Sequence, residues 1–172
     1  MLFKTLGDKS APAVLFFHAM GVTGESSGPV AAELADRFFC IMPTSTVYCA
    51  GQTYADKADE VRQIKEFLRG QGVERVEMVV AAGKALSYGN IRRQMADSLE
   101  GKPFPPLSKE LQKRCFFEFG SAEDHFKYRA AVMQAYPAGN FPVFDGYNHM
   151  QYQIRDPKGF AAMMELPFLQ KE

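Results

Sequence analysis

Short apolar runs separated by longer mixed segments dominate the pattern of this chain. Five runs of four or five residues are rich in β-branched or aromatic side chains and do not alternate with polar ones: Ala13–Phe17, Phe38–Met42, Val76–Val80, Cys115–Phe119 and Phe141–Phe144. Short runs of this kind, without a clean alternation of apolar and polar residues, are typical of strands that are buried on both faces. The pattern therefore predicts a mostly parallel central sheet.

The segments between these runs carry helical signals. Helices are predicted at Pro29–Arg37, from Thr53 to about Arg69, at Ile91–Leu99, from Ser121 until Pro137, and at Pro157–Met164. Pro29 suits a first helical turn, Thr53 suits an N-cap, and Gly70 suits a helix end. Strands that alternate with helices imply right-handed crossovers and helices on both sheet faces. The predicted fold class is α/β, with residues 1–172 as one domain.

Composition and charge exclude several classes of function. The 20 basic residues match the 20 acidic ones, so no net positive charge attracts nucleic acid. No apolar run reaches the roughly 18 residues that cross a membrane, and the first ten residues lack a signal-peptide core. The three cysteines have no metal-type spacing, which favours a reducing, cytoplasmic setting. We expect neither a nucleic-acid nor a membrane partner, and leave a homodimer open.

Chemistry is expected in the loops that follow the strands, because the reactive groups of a parallel sheet gather at the carboxyl ends of its strands. The loop after Phe17 reads His18-Ala19-Met20-Gly21. Its glycine allows a tight turn with exposed backbone N–H groups, and such groups stabilise an oxyanion. The backbones of Met20 and Ala19 are the candidate donors. The alternative is an ordinary turn in which His18 bonds to nearby backbone groups.

A histidine and two acids occupy the last two of these loops. His149 follows Gly146 by three residues, just past a predicted strand, and this context suits a general base. Glu123 and Asp124 follow the preceding strand, and either carboxylate is a candidate to orient the imidazole. Ser121 and Asp124 also have the spacing of a capping box, which would assign Asp124 to a helix start. A solvated loop histidine is the plain alternative for His149.

In their order along the chain, these segments resemble the α/β-hydrolase superfamily. Ala13–Gly21 is similar to its first motif strand and oxyanion loop, Phe116–Asp124 to the strand carrying the acid, and Phe141–His149 to the strand and turn carrying the base. The resemblance implies His149 as base, Glu123 or Asp124 as acid, and the Met20 backbone as an oxyanion donor. It also implies a small-molecule acyl substrate and no metal or organic cofactor.

The nucleophile is where the chain departs from the superfamily pattern. A serine is expected near Ala82 or Gly83, and neither residue carries a nucleophilic group. Ser87 lies in a variant A-x-S-x-G turn that starts about five residues late, and its alternative role is a helix cap. Residues missing from the chain between Ala82 and Gly83, with a second break near residues 164–166, would also explain the departure.

Two functions from different classes follow. The first is a serine hydrolase of a carboxylic ester, thioester or small amide. The second is a non-catalytic module with the same fold, which binds a ligand or a partner. Cys49 is a third candidate nucleophile, as in dienelactone-type hydrolases of the superfamily, but its place in the chain order is wrong for that role. His18 and Tyr48 are expected to contact substrate.

Overall fold

A computed structural model describes residues 1–19, 21–81, 107–149 and 151–169 of the chain. Two compact units are present, which we call the N-terminal unit (Met1–Pro103) and the C-terminal unit (Phe104–Glu172). Within the described ranges, no helix combines the length and the apolar character that crossing a membrane requires. The predicted helix Ile91–Leu99 and the predicted gap between Ala82 and Gly83 lie outside the described residues.

A four-stranded sheet organises the N-terminal unit. Its strands lie in the order β1-β3-β2-β4 and comprise β1 (Leu2–Leu6), β2 (Ala13–Phe17), β3 (Phe39–Thr44) and β4 (Val76–Ala81). The last three strands run parallel, as predicted, whereas β1 pairs antiparallel with β3. The carboxyl ends of β2, β3 and β4 therefore lie along one edge of the sheet.

The sheet has a helix on each face in this unit, namely α1 (Gly28–Leu34) and α2 (Lys57–Gly70). Ile41 of β3 belongs to a hydrophobic cluster with Ile64 of α2. The neighbouring strand residue, Cys40, donates its thiol hydrogen to the carbonyl oxygen of Ala31 in α1, at 3.6 Å. Because successive strand residues point to opposite faces, α1 and α2 lie on opposite sides of the sheet, as predicted.

The bounds of these two helices differ from the prediction. Helix α2 begins at Lys57, not near Thr53, because the carboxylate of Asp56 accepts a hydrogen bond from the backbone N–H of Asp59 at 2.8 Å. Such a bond satisfies one of the donors that a helix start leaves without a partner. Helix α1 ends at Leu34, so the predicted extension to Arg37 is wrong.

A parallel pair of very short strands lies in the C-terminal unit, β5 (Phe119–Gly120) beside β6 (Val143–Phe144). Longer strands at Cys115–Phe119 and Phe141–Phe144 were expected from the apolar runs. Pro142 interrupts the second run, and a proline has no N–H to donate to a ladder. Phe116 forms only an isolated bridge with Asn140, so regular pairing begins at Phe119.

Four helices of the C-terminal unit are described: α3 (Lys109–Gln112), α4 (Arg129–Ala135), α5 (Gln151–Arg155) and α6 (Pro157–Leu169). The helix predicted from Ser121 starts later, as a 3-10 helix at Asp124–Tyr128 that leads into α4. The predicted end of the last helix at Met164 is also wrong. Helix α6 continues through residues 164–166, and Phe160, Ala161 and Met164 are buried along it.

An aromatic cluster packs α5 and α6 against β6. The ring of Tyr152 stacks on Phe144 with centroids 3.6 Å apart and meets Phe160 at 5.8 Å. Glu118 lies beside this cluster, where its carboxylate accepts a 3.4 Å hydrogen bond from the Gln153 amide. Burial raises the pKa of Glu118 to about 8, and the Gln153 bond opposes that rise only in part. The folded protein therefore holds this carboxyl protonated at neutral pH.

We expect Gly120→Ala to destabilise the protein by about 1–3 kcal/mol or more, because the added Cβ would lie 2.1 Å from the carbonyl oxygen of Tyr147. Urea unfolding measures the loss. Gly28→Ala is the matched control, since nothing lies within 4 Å of its added Cβ and its φ is −52°. That variant should gain up to about 1 kcal/mol. Equal midpoints for Gly120→Ala and wild type would contradict the expectation.

The raised pKa of Glu118 makes stability depend on pH. Between its ordinary value of 4.5 and about 8, the folded state binds a proton that the unfolded chain has released. The free energy of unfolding contributed by this group therefore falls as pH rises through that window and levels off above it. In Glu118→Gln, urea titrations from about pH 5 to about pH 8.5 should show a smaller fall than wild type. Glu110→Gln, at a carboxylate that is 82% exposed, is the control and should keep the wild-type slope.

Candidate active site

A carboxylate and an imidazole meet in the loops that follow β5 and β6. Oε2 of Glu123 lies 2.5 Å from Nδ1 of His149. The Glu123 side chain is 2% exposed, whereas the His149 side chain is 38% exposed. The contact therefore joins a buried carboxylate to a ring that reaches the surface.

The second oxygen of the Glu123 carboxylate is bound by the main chain. Oε1 accepts a hydrogen bond from the backbone N–H of Gly120 at 3.2 Å, and the backbone N–H of Glu123 donates to the Gly120 carbonyl at the same distance. Gly120 and Glu123 thus form a small closed turn. Because each carboxylate oxygen has its own partner, the carboxylate plane is held in one orientation toward His149.

Ser121 connects the loop that carries the acid to the loop that carries the base. Its hydroxyl donates to Oδ1 of Asp145 and accepts from the backbone N–H of Gly146, each at 2.8 Å. Nearby, the backbone N–H of Ala122 donates to the carbonyl of Tyr147 at 3.1 Å. Gly146 has a φ of +74°, a conformation that glycine adopts without steric strain. These bonds fix the register of one loop against the other.

The backbone at His149 is anchored as well. Its N–H donates to Oδ1 of Asn148 at 2.8 Å, and the Asn148 N–H donates to Oε1 of Gln151 at 3.0 Å. Gln151 is the first residue of α5, so the second bond ties the loop that carries the base to the start of that helix. Helix α5 was not predicted from the sequence.

Asp124 takes no part in this contact. It is exposed and forms the first residue of the 3-10 helix. The capping box expected from Ser121 and Asp124 is wrong, since the Ser121 hydroxyl bonds to Asp145 and Gly146. Of the two acids named from the sequence, the structure brings Glu123 to His149.

The pairing of Nδ1 with a carboxylate sets the chemistry of the imidazole. An ionised carboxylate only accepts hydrogen bonds, so Nδ1 carries the proton and Nε2 is the basic nitrogen. The carboxylate also stabilises the imidazolium that forms when Nε2 takes up a proton. This arrangement suits a general base.

In the N-terminal unit, His18 bonds to the main chain through both ring nitrogens. Nδ1 donates to the carbonyl oxygen of Ala19 at 2.7 Å, and Nε2 accepts from the backbone N–H of Ser45 at 2.9 Å. The ring therefore ties the loop after β2 to the loop after β3. This is the alternative that the sequence left open for His18.

Tyr48 contacts the same loop. Its hydroxyl accepts a 2.8 Å hydrogen bond from the backbone N–H of Gly21, and its ring meets His18 edge-on at 5.3 Å. Ala19 is buried. Met20, Ser87 and the elbow positions Ala82 and Gly83 lie outside the described residues.

Cys49 has a buried thiol that donates to the carbonyl oxygens of Ser45 and Thr44, at 3.3 and 3.5 Å. This position does not present the sulfur to a substrate. In the ranges that the structure describes, no three His, Cys, Asp or Glu side chains group so that they could hold a metal ion.

Neither protein-family models nor curated proteins match this chain. Solved structures do. A serine hydrolase from Cycloclasticus zankles matches with a TM-score of 0.67 and 12% identity, over 99% of this chain and 95% of that one. A carboxylesterase from Bacillus subtilis matches with a TM-score of 0.62 and 14% identity, over 99% and 87% of the two chains.

A thioesterase domain from the curacin biosynthetic pathway also matches, with a TM-score of 0.60 and 12% identity, over 94% of this chain and 93% of that one. At identities this low, the likeness establishes the fold and leaves activity to be argued from the site. The order of strands and helices supports the same assignment, with β2, β3 and β4 parallel and the acid and base in successive strand-end loops. The chain has an abbreviated form of the α/β-hydrolase fold.

Proposed function

We propose that this protein hydrolyses a small acyl compound: a carboxylic ester, a thioester or a small amide. The observation that carries the proposal is the 2.5 Å contact between the buried Glu123 carboxylate and the partly exposed His149 imidazole. Acyl transfer needs a base of this kind, held in one tautomer. The described esterase and thioesterase neighbours share the fold and add support.

In the proposed reaction, a serine hydroxyl attacks the acyl carbon while Nε2 of His149 takes up the hydroxyl proton. Glu123 stabilises the resulting imidazolium through Nδ1. The imidazolium then returns the proton to the leaving group, and a water molecule, deprotonated by His149, releases the acid product. Ser87 is the candidate nucleophile.

Backbone N–H groups in the loop after β2 would stabilise the oxyanion, with Met20 and Ala19 as the candidate residues. Removing one such donor typically slows acyl transfer about 100- to 1,000-fold. This scheme uses no metal ion, because charge development is met by backbone dipoles and the imidazole.

The second candidate is a non-catalytic binding module with the same fold. One observation favours it: Ala82 and Gly83, at the positions where a nucleophile is expected, have no nucleophilic side chain. Both candidates keep the fold and the Glu123–His149 contact, so a test must detect the nucleophile itself.

A fluorophosphonate probe separates the two candidates, because it reacts with an activated serine and not with a mere binding pocket. We expect the folded wild type to take up one probe per chain, and peptide mass spectrometry to find it on Ser87. His149→Ala and heat-denatured wild type should both lose labelling. A folded wild type that does not label would overturn the hydrolase and favour the binding module.

Paired substitutions identify the acid. Glu123→Gln places an amide donor opposite Nδ1 and favours the wrong imidazole tautomer, so kcat for p-nitrophenyl esters should fall about 100- to 10,000-fold. Asp124→Asn is the matched control at the neighbouring exposed carboxylate and should retain activity close to wild type. Circular dichroism checks that both variants fold. A larger loss in Asp124→Asn than in Glu123→Gln would show that the acid is misassigned.

A further inference from the structure

A hydrogen bond from a backbone amide to a tyrosine helps to hold the loop after β2, which our proposed function uses to bind the oxyanion. The N–H of Gly21 donates to the hydroxyl oxygen of Tyr48, 27 positions later, at 2.8 Å. Gly21 has a φ of +88°, in the region that glycine enters without steric cost. Because glycine has much conformational freedom, a hydrogen bond to its amide restricts the orientation of that peptide. The Tyr48 hydroxyl supplies this restriction.

The turn that carries Tyr48 is itself held by a carboxylate on α2. Tyr48 ends the 3-10 turn Thr46–Tyr48. Oε1 of Glu60 accepts hydrogen bonds from the hydroxyl of Ser45, the N–H of Thr46 and the hydroxyl of Thr46, at 2.6, 2.8 and 2.9 Å. Hydrogen bonds to a charged acceptor are stronger than those between neutral groups. The turn that carries Tyr48 is thus fastened to a helix in the body of the unit.

His18 fastens the loop from the other side. Its Nδ1 donates to the carbonyl of Ala19 at 2.7 Å, and its Nε2 accepts from Ser45 at 2.9 Å. The ring also meets the Tyr48 ring edge-on. The carbonyl of residue 19 and the amide of residue 21 are therefore both tied down. These are the residues on either side of the candidate oxyanion donor.

We propose that Tyr48 is a positioning residue for the oxyanion loop, with Glu60 and His18 as its supports. This inference rests on the proposed function, because it assigns a role within the same reaction. Donors that are held in place before the reaction need no reorganisation when charge develops on the substrate. Loss of the Tyr48 bond should therefore weaken transition-state binding more than substrate binding, and should lower kcat while leaving KM nearly unchanged.

Tyr48→Phe tests this role, since it removes the accepting oxygen and keeps the ring that meets His18. We expect kcat for a p-nitrophenyl ester to fall about 10- to 100-fold, less than for outright loss of a donor, with KM within about twofold of wild type. Tyr128→Phe removes the same hydroxyl from a tyrosine that is 53% exposed, and should keep the wild-type kcat. Glu60 lies one step further from the loop, so Glu60→Gln should also lower kcat, but by a smaller factor than Tyr48→Phe.

A second measurement does not depend on activity. In wild type the Gly21 amide should exchange slowly with deuterium, and in Tyr48→Phe its exchange should speed up and its resonance should shift, at an unchanged melting temperature. A Gly21 amide that does not respond, or an unchanged kcat in an active protein, would overturn the inference. A rise in KM at constant kcat would also overturn it, by showing that Tyr48 contacts substrate instead. A wild type that neither labels with fluorophosphonate nor hydrolyses esters overturns the proposed function itself, a result distinct from any of these.

Discussion

The close approach of Gly120 to Tyr147 is the constraint on which the acid–base pair depends. A hydrogen in place of a side chain lets the loop after β5 lie against the carbonyl of Tyr147, where even a methyl group would overlap it. At that separation Ser121 reaches Asp145, Ala122 reaches Tyr147, and the Glu123 carboxylate reaches the imidazole of His149. A wider gap between these loops would leave a buried carboxylate without its partner, which is costly in free energy.

The two units anchor their strand-end loops in the same way. Side chains bind backbone amides of glycines: Glu123 accepts from Gly120, and Tyr48 accepts from Gly21. Long strands normally fix the loops at a sheet edge, but β5 and β6 have only two residues each. In the loops after β5 and β6, side-chain acceptors replace the ladder hydrogen bonds that longer strands would supply. Loop geometry therefore depends on a few individual residues and not on the sheet alone.

The sequence predicted best those elements whose signal is local. Strands β2 and β3 are apolar runs that are buried along almost their whole length, and such runs are visible without any tertiary information. Strand β4 has the same apolar character apart from Glu77. Strand β1 was missed because it is an edge strand with exposed side chains, Leu2 among them, and carries no such run. Pro142 indicates that the run Phe141–Phe144 can form only a short strand, a signal that the sequence contains.

The same distinction applies to the candidate site. His149 and Glu123 could be named because each follows a strand and a glycine at short spacing, which a reader of the sequence can count. The choice of Glu123 over Asp124 could not be made from the sequence, since it depends on which carboxylate the turn at Gly120 folds inward. The partnership of Ser121 with Asp145, and that of Tyr48 with Gly21, joins residues more than 20 positions apart without any local pattern.

The burial of the Glu123 carboxylate has an electrostatic consequence. With 2% of its side chain accessible, its oxygens are screened from water and dissolved ions. The hydrogen bond between this carboxylate and the ring therefore acts through a medium of low polarity and is shielded little by the surrounding electrolyte. Its strength is governed by the protein interior, and changes in the ionic strength of the surroundings reach it only weakly.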